Sequence, residues 1–185
     1  TLAEKGINEW ISRPLVLLDR DQFRPEYLKL NPKAQVPTLV HDGNVIRESS
    51  IICDYLDDLR PEPPLKPADP AARAHMREWI KDSDESGYQA TASLNFVTKF
   101  RLEIPRDQME ERWKKVTDID RLHRQQSCVL EGLDSPYVLR AIGAWERIFT
   151  KMEETLVDGR PWIMGDQFTL IETNSAPFIK VLEML

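Results

Sequence analysis

Two adjacent polar residues, Glu48 and Ser49, stand where a strand-like run meets an apolar helical one, and their chemistry suits a ligand. The first free N–H groups of a helix bind a carboxylate, and the hydroxyl of Ser49 adds a further donor. The carboxylate of Glu48 suits an ammonium. The pair therefore fits the head group of an amino acid, and simple capping of the helix by Ser49 is the alternative.

A second candidate is the dipeptide Val36-Pro37, which opens the strand-like run that follows it. Proline is tolerated at the start of a strand, and a tight turn ahead of it can hold a cis bond. In a cis turn the backbone N–H and C=O of Val36 are free to pair with an extended peptide, as an added strand. An ordinary trans proline is the alternative. With Glu48 and Ser49, this dipeptide predicts a site for a short peptide.

The first thirty residues predict a helix end, a strand and a short helix. TLAEKGI ends a helix at its glycine, with Lys5 facing outward. WISRPLVLL, residues 10–18, resembles a strand, and FRPEYLKLNP, residues 23–32, a short helix that a proline ends. A strand ahead of residue 1 would complete a β-α-β-α-β-β-α unit.

The next forty residues predict a β-hairpin, a helix and a linker. PTLV and NVIR flank Asp42-Gly43, which supplies the positive φ values of a tight hairpin turn. SSIICDYLDDLR has the apolar spacing of a helix. PEPPLKPADP, residues 61–70, holds five prolines in ten residues and interrupts regular structure.

The remainder of the chain reads as helical. Apolar spacing predicts helices over 71–101, 108–128 and 137–157, with a turn at GLDSP. Thr169 and Glu172 form a Thr-x-x-Glu capping box ahead of APFIKVLEML, which we expect to be a largely buried last helix.

Composition excludes several functional classes. The 185 residues are 41% hydrophobic and 30% charged, as in folded globular proteins. A net charge of -6 without segregated basic residues argues against nucleic acid as a partner. No apolar run approaches the roughly 18 residues that span a bilayer, so we expect no membrane association and a cytoplasmic location. Two cysteines and three scattered histidines predict neither a disulfide framework nor a metal site.

In their order and spacing, NPKAQVPTLV, the Asp-Gly hairpin, RESSIICDYL, the proline linker and FTLIET followed by APFI resemble the cytosolic glutathione transferase superfamily. The resemblance covers nearly the whole chain. It implies a thioredoxin-like N-terminal domain over 1–60 that lacks its first strand, a linker over 61–70 and an all-helical domain over 71–185. LKPADPAARAHMREWIKDSDE is most similar to bacterial β-etherase-type transferases, and the NPxxQVPTL run is also similar to zeta-class enzymes.

The resemblance implies that glutathione is a co-substrate and assigns five residues to its binding. The backbone of Val36 would pair with the cysteinyl unit, and Pro37 would be the cis-proline. Glu48 and Ser49 would hold the γ-glutamyl head group. Gln35 would reach the glycyl end or the backbone of the tripeptide.

The family resemblance also has implications for residues other than these five. The residue that activates the thiol follows the first strand, which places it upstream of Thr1, and the family continues past residue 185 with further helices. Asp84 falls where members place an acidic residue near the dimer interface and the γ-glutamyl amine, with a solvated helix face as the alternative. Ala34 replaces the usual Gly and requires a negative φ or strain, and Glu172 replaces the usual Asp.

The implied activity is transfer of glutathione to a small hydrophobic electrophile, an aryl ether in the β-etherases, by a homodimeric enzyme. Four aromatic residues are candidates for the electrophile pocket, with a core position as the alternative for each: Trp79, Tyr88, Phe96 and Trp113. A transferase-fold isomerase or thiol-disulfide reductase, and a non-catalytic binding module, are the alternative functions.

Overall fold

The computed structural model describes residues 1–185, with one pair of strands and nine α-helical segments. The strands are β1 (Thr38–His41) and β2 (Asn44–Arg47). The helices are α1 (Pro25–Leu30), α2 (Ser49–Leu59), α3 (Pro70–Asp82), α4 (Tyr88–Asn95), α5 (Arg101–Glu103), α6 (Arg106–Trp113), α7 (Ile119–Glu131), α8 (Pro136–Leu156) and α9 (Leu170–Leu182). None of these helices combines the length and the apolar character that crossing a bilayer requires.

The two strands form the predicted antiparallel hairpin. Thr38 pairs with Arg47 at its open end and His41 pairs with Asn44 beside the turn. Asp42 and Gly43 have φ values of 48° and 77°, so both central residues of the turn are left-handed. Turns of this kind match the twist of the strands they join, which explains the two-residue connection. β2 then delivers the chain directly to α2.

The first seven residues form the predicted helix end, but one side chain is placed differently. Gly6 has a φ of 61°, and the N–H groups of Gly6 and Ile7 donate back to the preceding turn, as in a Schellman motif. The prediction that Lys5 faces outward is wrong, since it is only 2% exposed. Its ammonium lies 2.6 Å from the Asp57 carboxylate and also donates to the Pro63 carbonyl, and these acceptors make its burial tolerable.

Residues 10–18 do not form the predicted strand. The segment has no regular structure up to Val16 and then enters a turn, its backbone makes no ladder hydrogen bonds, and the sheet of the chain has only two strands. Its first backbone contact is the Val16 N–H, which donates to the carboxylate of Asp21 at 2.9 Å. Ile11 is 81% exposed. The apolar pattern therefore favoured a strand that finds no partner strand within 1–185.

The predicted helix over 71–101 is one helical stretch from α3 to α5, interrupted by two π-helical segments, Ser83–Gly87 and Phe96–Phe100. The predicted helix over 108–128 is instead two helices, α6 and α7. Asp118 fixes the start of the second helix, because its side chain accepts a 2.9 Å hydrogen bond from the Arg121 N–H.

The core of the helical part has three clusters, built around α7 with the second π-helical segment, around α9 and around α8. α9 begins at the predicted capping box, and Leu170 and Ile171 at its start are buried. The expectation of a largely buried last helix is confirmed for its first half and only in part for its second half, where Lys180 is exposed. Phe178 and Leu182 in that second half are partly buried and pack against the cluster around α8.

Candidate functional site

The junction between β2 and α2 presents free donors at the surface. Glu48 is the N-cap of α2, and no side chain caps the helix. The first helical N–H group with an acceptor is that of Ile52, which donates to the Glu48 carbonyl at 2.9 Å. The N–H groups ahead of it are therefore open to a ligand, together with the exposed side chain of Ser49. The alternative prediction, that Ser49 caps the helix, does not describe this junction.

The backbone at Glu48 is unusual for a residue with a side chain. Its φ and ψ are 65° and 123°, outside the regions that non-glycine residues favour. Such conformations cost on the order of 1–3 kcal/mol and cluster at binding sites. The carboxylate is half exposed and lies 2.7 Å from the ammonium of Lys33. An exposed ion pair of this kind is weak and readily exchanged for another cation.

The Val36-Pro37 bond is cis, as the resemblance implied. The β1 ladder starts at Thr38, and neither backbone group of Val36 bonds to the rest of the chain. Val36 is 43% exposed, so its N–H and C=O are accessible as an edge for an extended peptide.

Two side chains, one from α1 and one from the residue that follows it, hold the turn ahead of Val36. The Asn31 amide donates to the Gln35 carbonyl at 2.8 Å, and the Tyr27 hydroxyl donates to the same carbonyl at 2.5 Å. Ala34 is buried with a φ of 51°, so of the two expectations for this position, negative φ or strain, strain is the one observed.

Asp84 faces the same junction from the helical part of the chain. It lies in the first π-helical segment, where it accepts a hydrogen bond of 2.5 Å from the Ser50 hydroxyl. Burial is the main cause that raises the pKa of the Asp84 carboxyl. Ser50 opposes the shift, and the charge of Glu48 adds to it. The alternative of a solvated helix face is therefore wrong. Ser50 is not among the residues predicted for the site, and its place in the first turn of α2 is the one sequence signal that indicates it.

Tyr88 is the candidate aromatic residue that reaches the proposed peptide site. Its hydroxyl accepts a 3.0 Å hydrogen bond from the side-chain amide of Gln35, and its side chain is 39% exposed. Phe96 and Trp113 belong to the core, in agreement with the alternative expectation. Trp79 packs at the edge of another core cluster, beneath the ammonium of Lys151.

Residues 1–59 match the family model "Glutathione S-transferase, N-terminal domain". Protein LigF of Sphingobium sp. (strain NBRC 103272 / SYK-6) is 46% identical over 90 residues, which are 46% of this chain and 34% of LigF. Maleylacetoacetate isomerase of Rattus norvegicus is 41% identical over 97 residues, or 52% of this chain and 44% of that protein. The chain thus spans between a third and a half of the length of these curated relatives.

The similarity to solved structures extends over nearly the whole chain. The crystal structure of β-etherase LigF from Sphingobium sp. strain SYK-6 superposes with a TM-score of 0.85 at 26% identity, covering 98% of this chain and 76% of that one. A glutathione S-transferase from Methylobacillus flagellatus with glutathione bound has the same fold, with a TM-score of 0.67 at 23% identity, covering 99% of this chain and 74% of that one.

The fold is thus a thioredoxin-like N-terminal domain followed by an all-helical domain, as the family resemblance implied. The family model thus matches the N-terminal part of the chain, residues 1–59, and the chain as a whole is similar in fold to the β-etherase LigF.

Proposed function

We propose that this protein binds glutathione and transfers its sulfur to a small hydrophobic electrophile. The observation that carries the proposal is the unpaired backbone of Val36 beside an uncapped α2 N-terminus, because the two together offer an edge for a peptide and an anion site for its end. We assign residues 1–60 to peptide binding, 61–70 to a linker and 71–185 to the wall of the electrophile site. A homodimer is part of the same proposal.

The γ-glutamyl head group carries both charges of an amino acid, and the junction offers a partner for each. Its carboxylate would accept from the Ser49 hydroxyl and from the first N–H groups of α2. Its ammonium would lie between the carboxylates of Glu48 and Asp84, and would replace Lys33 as the partner of Glu48. Two carboxylates facing one another are favourable only with a cation between them, which supports this placement.

The positions of the cysteinyl and glycyl units follow from the direction in which the tripeptide extends from its head group. The cysteinyl unit would pair with the backbone of Val36, next to the cis bond at Pro37. The glycyl end would lie near the amide of Gln35, which Tyr88 orients through its hydroxyl. A free thiol has a pKa near 8.5, and lowering it by about two units leaves most of it ionised at pH 7.

An aryl ether is the electrophile class that the similarity to the β-etherase LigF favours. In that reaction the thiolate attacks the carbon that bears the aryloxy group, a C–S bond forms, the C–O bond breaks and a phenolate leaves. A glutathione-dependent isomerase is the second candidate, because maleylacetoacetate isomerases match over a comparable part of the chain.

Calorimetric titration of the full chain with glutathione tests the proposal. We expect Glu48→Gln and Ser49→Ala each to weaken binding by about 1–3 kcal/mol without unfolding the protein, because a charged group of the ligand loses its partner. Glu154→Gln, an exposed position on α8, is the matched control and should bind as the natural protein does. Unchanged affinity in both site variants would contradict the assignment.

A further inference from the structure

Three arginine side chains without an ion-pair partner lie near one another. Arg20 is in the segment that precedes α1, Arg112 is on α6 and Arg121 is on α7. No carboxylate lies within 4.0 Å of Arg20, Arg112 or Arg121, although the chain as a whole carries a net charge of -6. Two of the nearby acids are engaged elsewhere, since Asp21 pairs with Arg24 and Glu111 pairs with Lys114. The charge of Glu111 acts on Arg20 from a distance, but none of the three guanidinium groups has a carboxylate as a direct partner.

Arg112 is the central member of the group. It is only 5% exposed, and its Nη1 donates to the Leu17 carbonyl at 2.8 Å. Its guanidinium lies 5.1 Å from the ring centre of Phe100 and 6.0 Å from that of Phe23. The other guanidinium nitrogens have no acceptor in the chain, and none of them is sealed from solvent. A buried guanidinium with one acceptor for its five donors still has room for an anion.

The charges on the three arginines influence one another. The pKa of Arg112 is lowered to about 10, first by burial and then by the charges of Arg121 and Arg20. Mutual repulsion of this kind costs stability, and a bound anion relieves it. The geometry and the lack of a direct ion-pair partner thus both favour an anionic ligand.

The arginine group is connected to the proposed peptide site. Arg121 donates from Nη1 to the Lys33 carbonyl at 2.9 Å, and Lys33 pairs with Glu48. Lys33 lies two residues ahead of Gln35 in the turn that presents Val36. An electrophile that meets the thiol of a bound peptide would therefore have the arginine group on one side.

We propose that Arg112, with Arg121 and Arg20, binds a carboxylate carried by the electrophile. This deepens the proposed function and rests on it, since it narrows the substrate class to aromatic acids. A planar guanidinium fork pairs with a carboxylate through two parallel hydrogen bonds, and the rings of Phe23 and Phe100 offer apolar surface to an aromatic body.

Two glutathione conjugates that differ in a single group test the carboxylate site separately from glutathione binding. The probes are S-(4-carboxybenzyl)glutathione and S-(4-carbamoylbenzyl)glutathione, in which an uncharged amide replaces the benzyl carboxylate. Both are titrated calorimetrically into the full chain. We expect the carboxylate probe to bind at least about tenfold more tightly, and the ratio to fall to about one in Arg112→Met. Arg140→Met, an exposed arginine on α8, is the control and should keep the natural ratio.

The ratio of the two affinities is measured within one variant, so partial unfolding of Arg112→Met does not distort it. Arg121→Gln, which is less buried, should lower the ratio as well. Equal affinities in the natural protein would overturn the carboxylate site and leave glutathione binding intact. A preference that survives in both variants would also overturn it. Failure of glutathione and both conjugates to bind would overturn the proposed function together with this inference.

Discussion

The hydroxyl of Ser50 donates a 2.5 Å hydrogen bond from Oγ to Oδ2 of Asp84, and so joins the first turn of α2 to the π-helical segment Ser83–Gly87. This contact brings Asp84 towards the carboxylate of Glu48, whose charge disfavours ionisation of Asp84. The protein thus holds two acidic groups near one another at the proposed ammonium site, an arrangement that costs stability until a cation binds.

Asp84→Asn should stabilise the free protein at pH 7 and weaken glutathione binding. Because Asp84 is only partly buried, solvent screening keeps the gain in stability below about 1 kcal/mol. The folded state raises the pKa of Asp84, so it holds a proton more tightly than the unfolded state does, and stability falls as the pH rises above the ordinary value of 3.8. The gain of the variant should therefore be larger at pH 7 than at pH 4. Urea denaturation at both values measures it.

A smaller gain at pH 7 than at pH 4 would contradict the assigned cause of the pKa shift. Asp58→Asn is not a suitable control because Asp58 binds Lys66. Asp120→Asn, at an exposed position in the first turn of α7, serves instead and should show no such gain.

Ala34→Gly should stabilise the protein by about 0.5–1 kcal/mol. Alanine at a φ of 51° pays a steric cost of roughly 1–2 kcal/mol that glycine avoids, and the greater freedom of glycine in the unfolded chain offsets part of the gain. Ala74→Gly, an exposed position inside α3, is the matched control and should lose about 1 kcal/mol. Urea denaturation of both variants gives the comparison, and equal losses would refute strain at Ala34.

Local features of this fold follow from the sequence, because they depend on neighbouring residues. The Asp42-Gly43 turn and the Thr169 capping box each rest on residues at most three apart. The apolar run at 10–18 illustrates the limit, since a strand also requires a partner whose presence the run itself does not encode.

The contacts that define the site join residues that are far apart in the sequence. Ser50 and Asp84 are 34 residues apart, and Arg112 and Leu17 are 95 apart, so no local pattern indicates either pair. Lys5 was predicted to face solvent because lysines usually do, and its partner, 52 residues away, reverses that preference. The order of the motifs predicts the glutathione-site candidates instead, because that order reflects the fold as a whole.

Tyr88→Phe should weaken glutathione binding about two- to fivefold, because the Gln35 amide loses the acceptor that orients it. The magnitude is small since the contact is partly exposed. Tyr137→Phe removes a hydroxyl that has no hydrogen-bond partner in the chain and should bind glutathione normally. An unchanged dissociation constant in Tyr88→Phe would show that Gln35 needs no orientation from the helical domain.

Glu172→Ala should destabilise the protein by about 2 kcal/mol. The carboxylate accepts from the Thr169 N–H at 2.8 Å, which closes the capping box, and from the Ile163 N–H at 3.0 Å, which fastens the preceding loop. Glu172→Asp should lose less, because the shorter side chain retains the cap and gives up the contact with Ile163. Thermal unfolding ranks the variants, with Glu153→Ala on the exposed face of α8 as the control. Equal losses in Asp and Ala would mean that the Ile163 contact, and not the cap, carries the stabilisation.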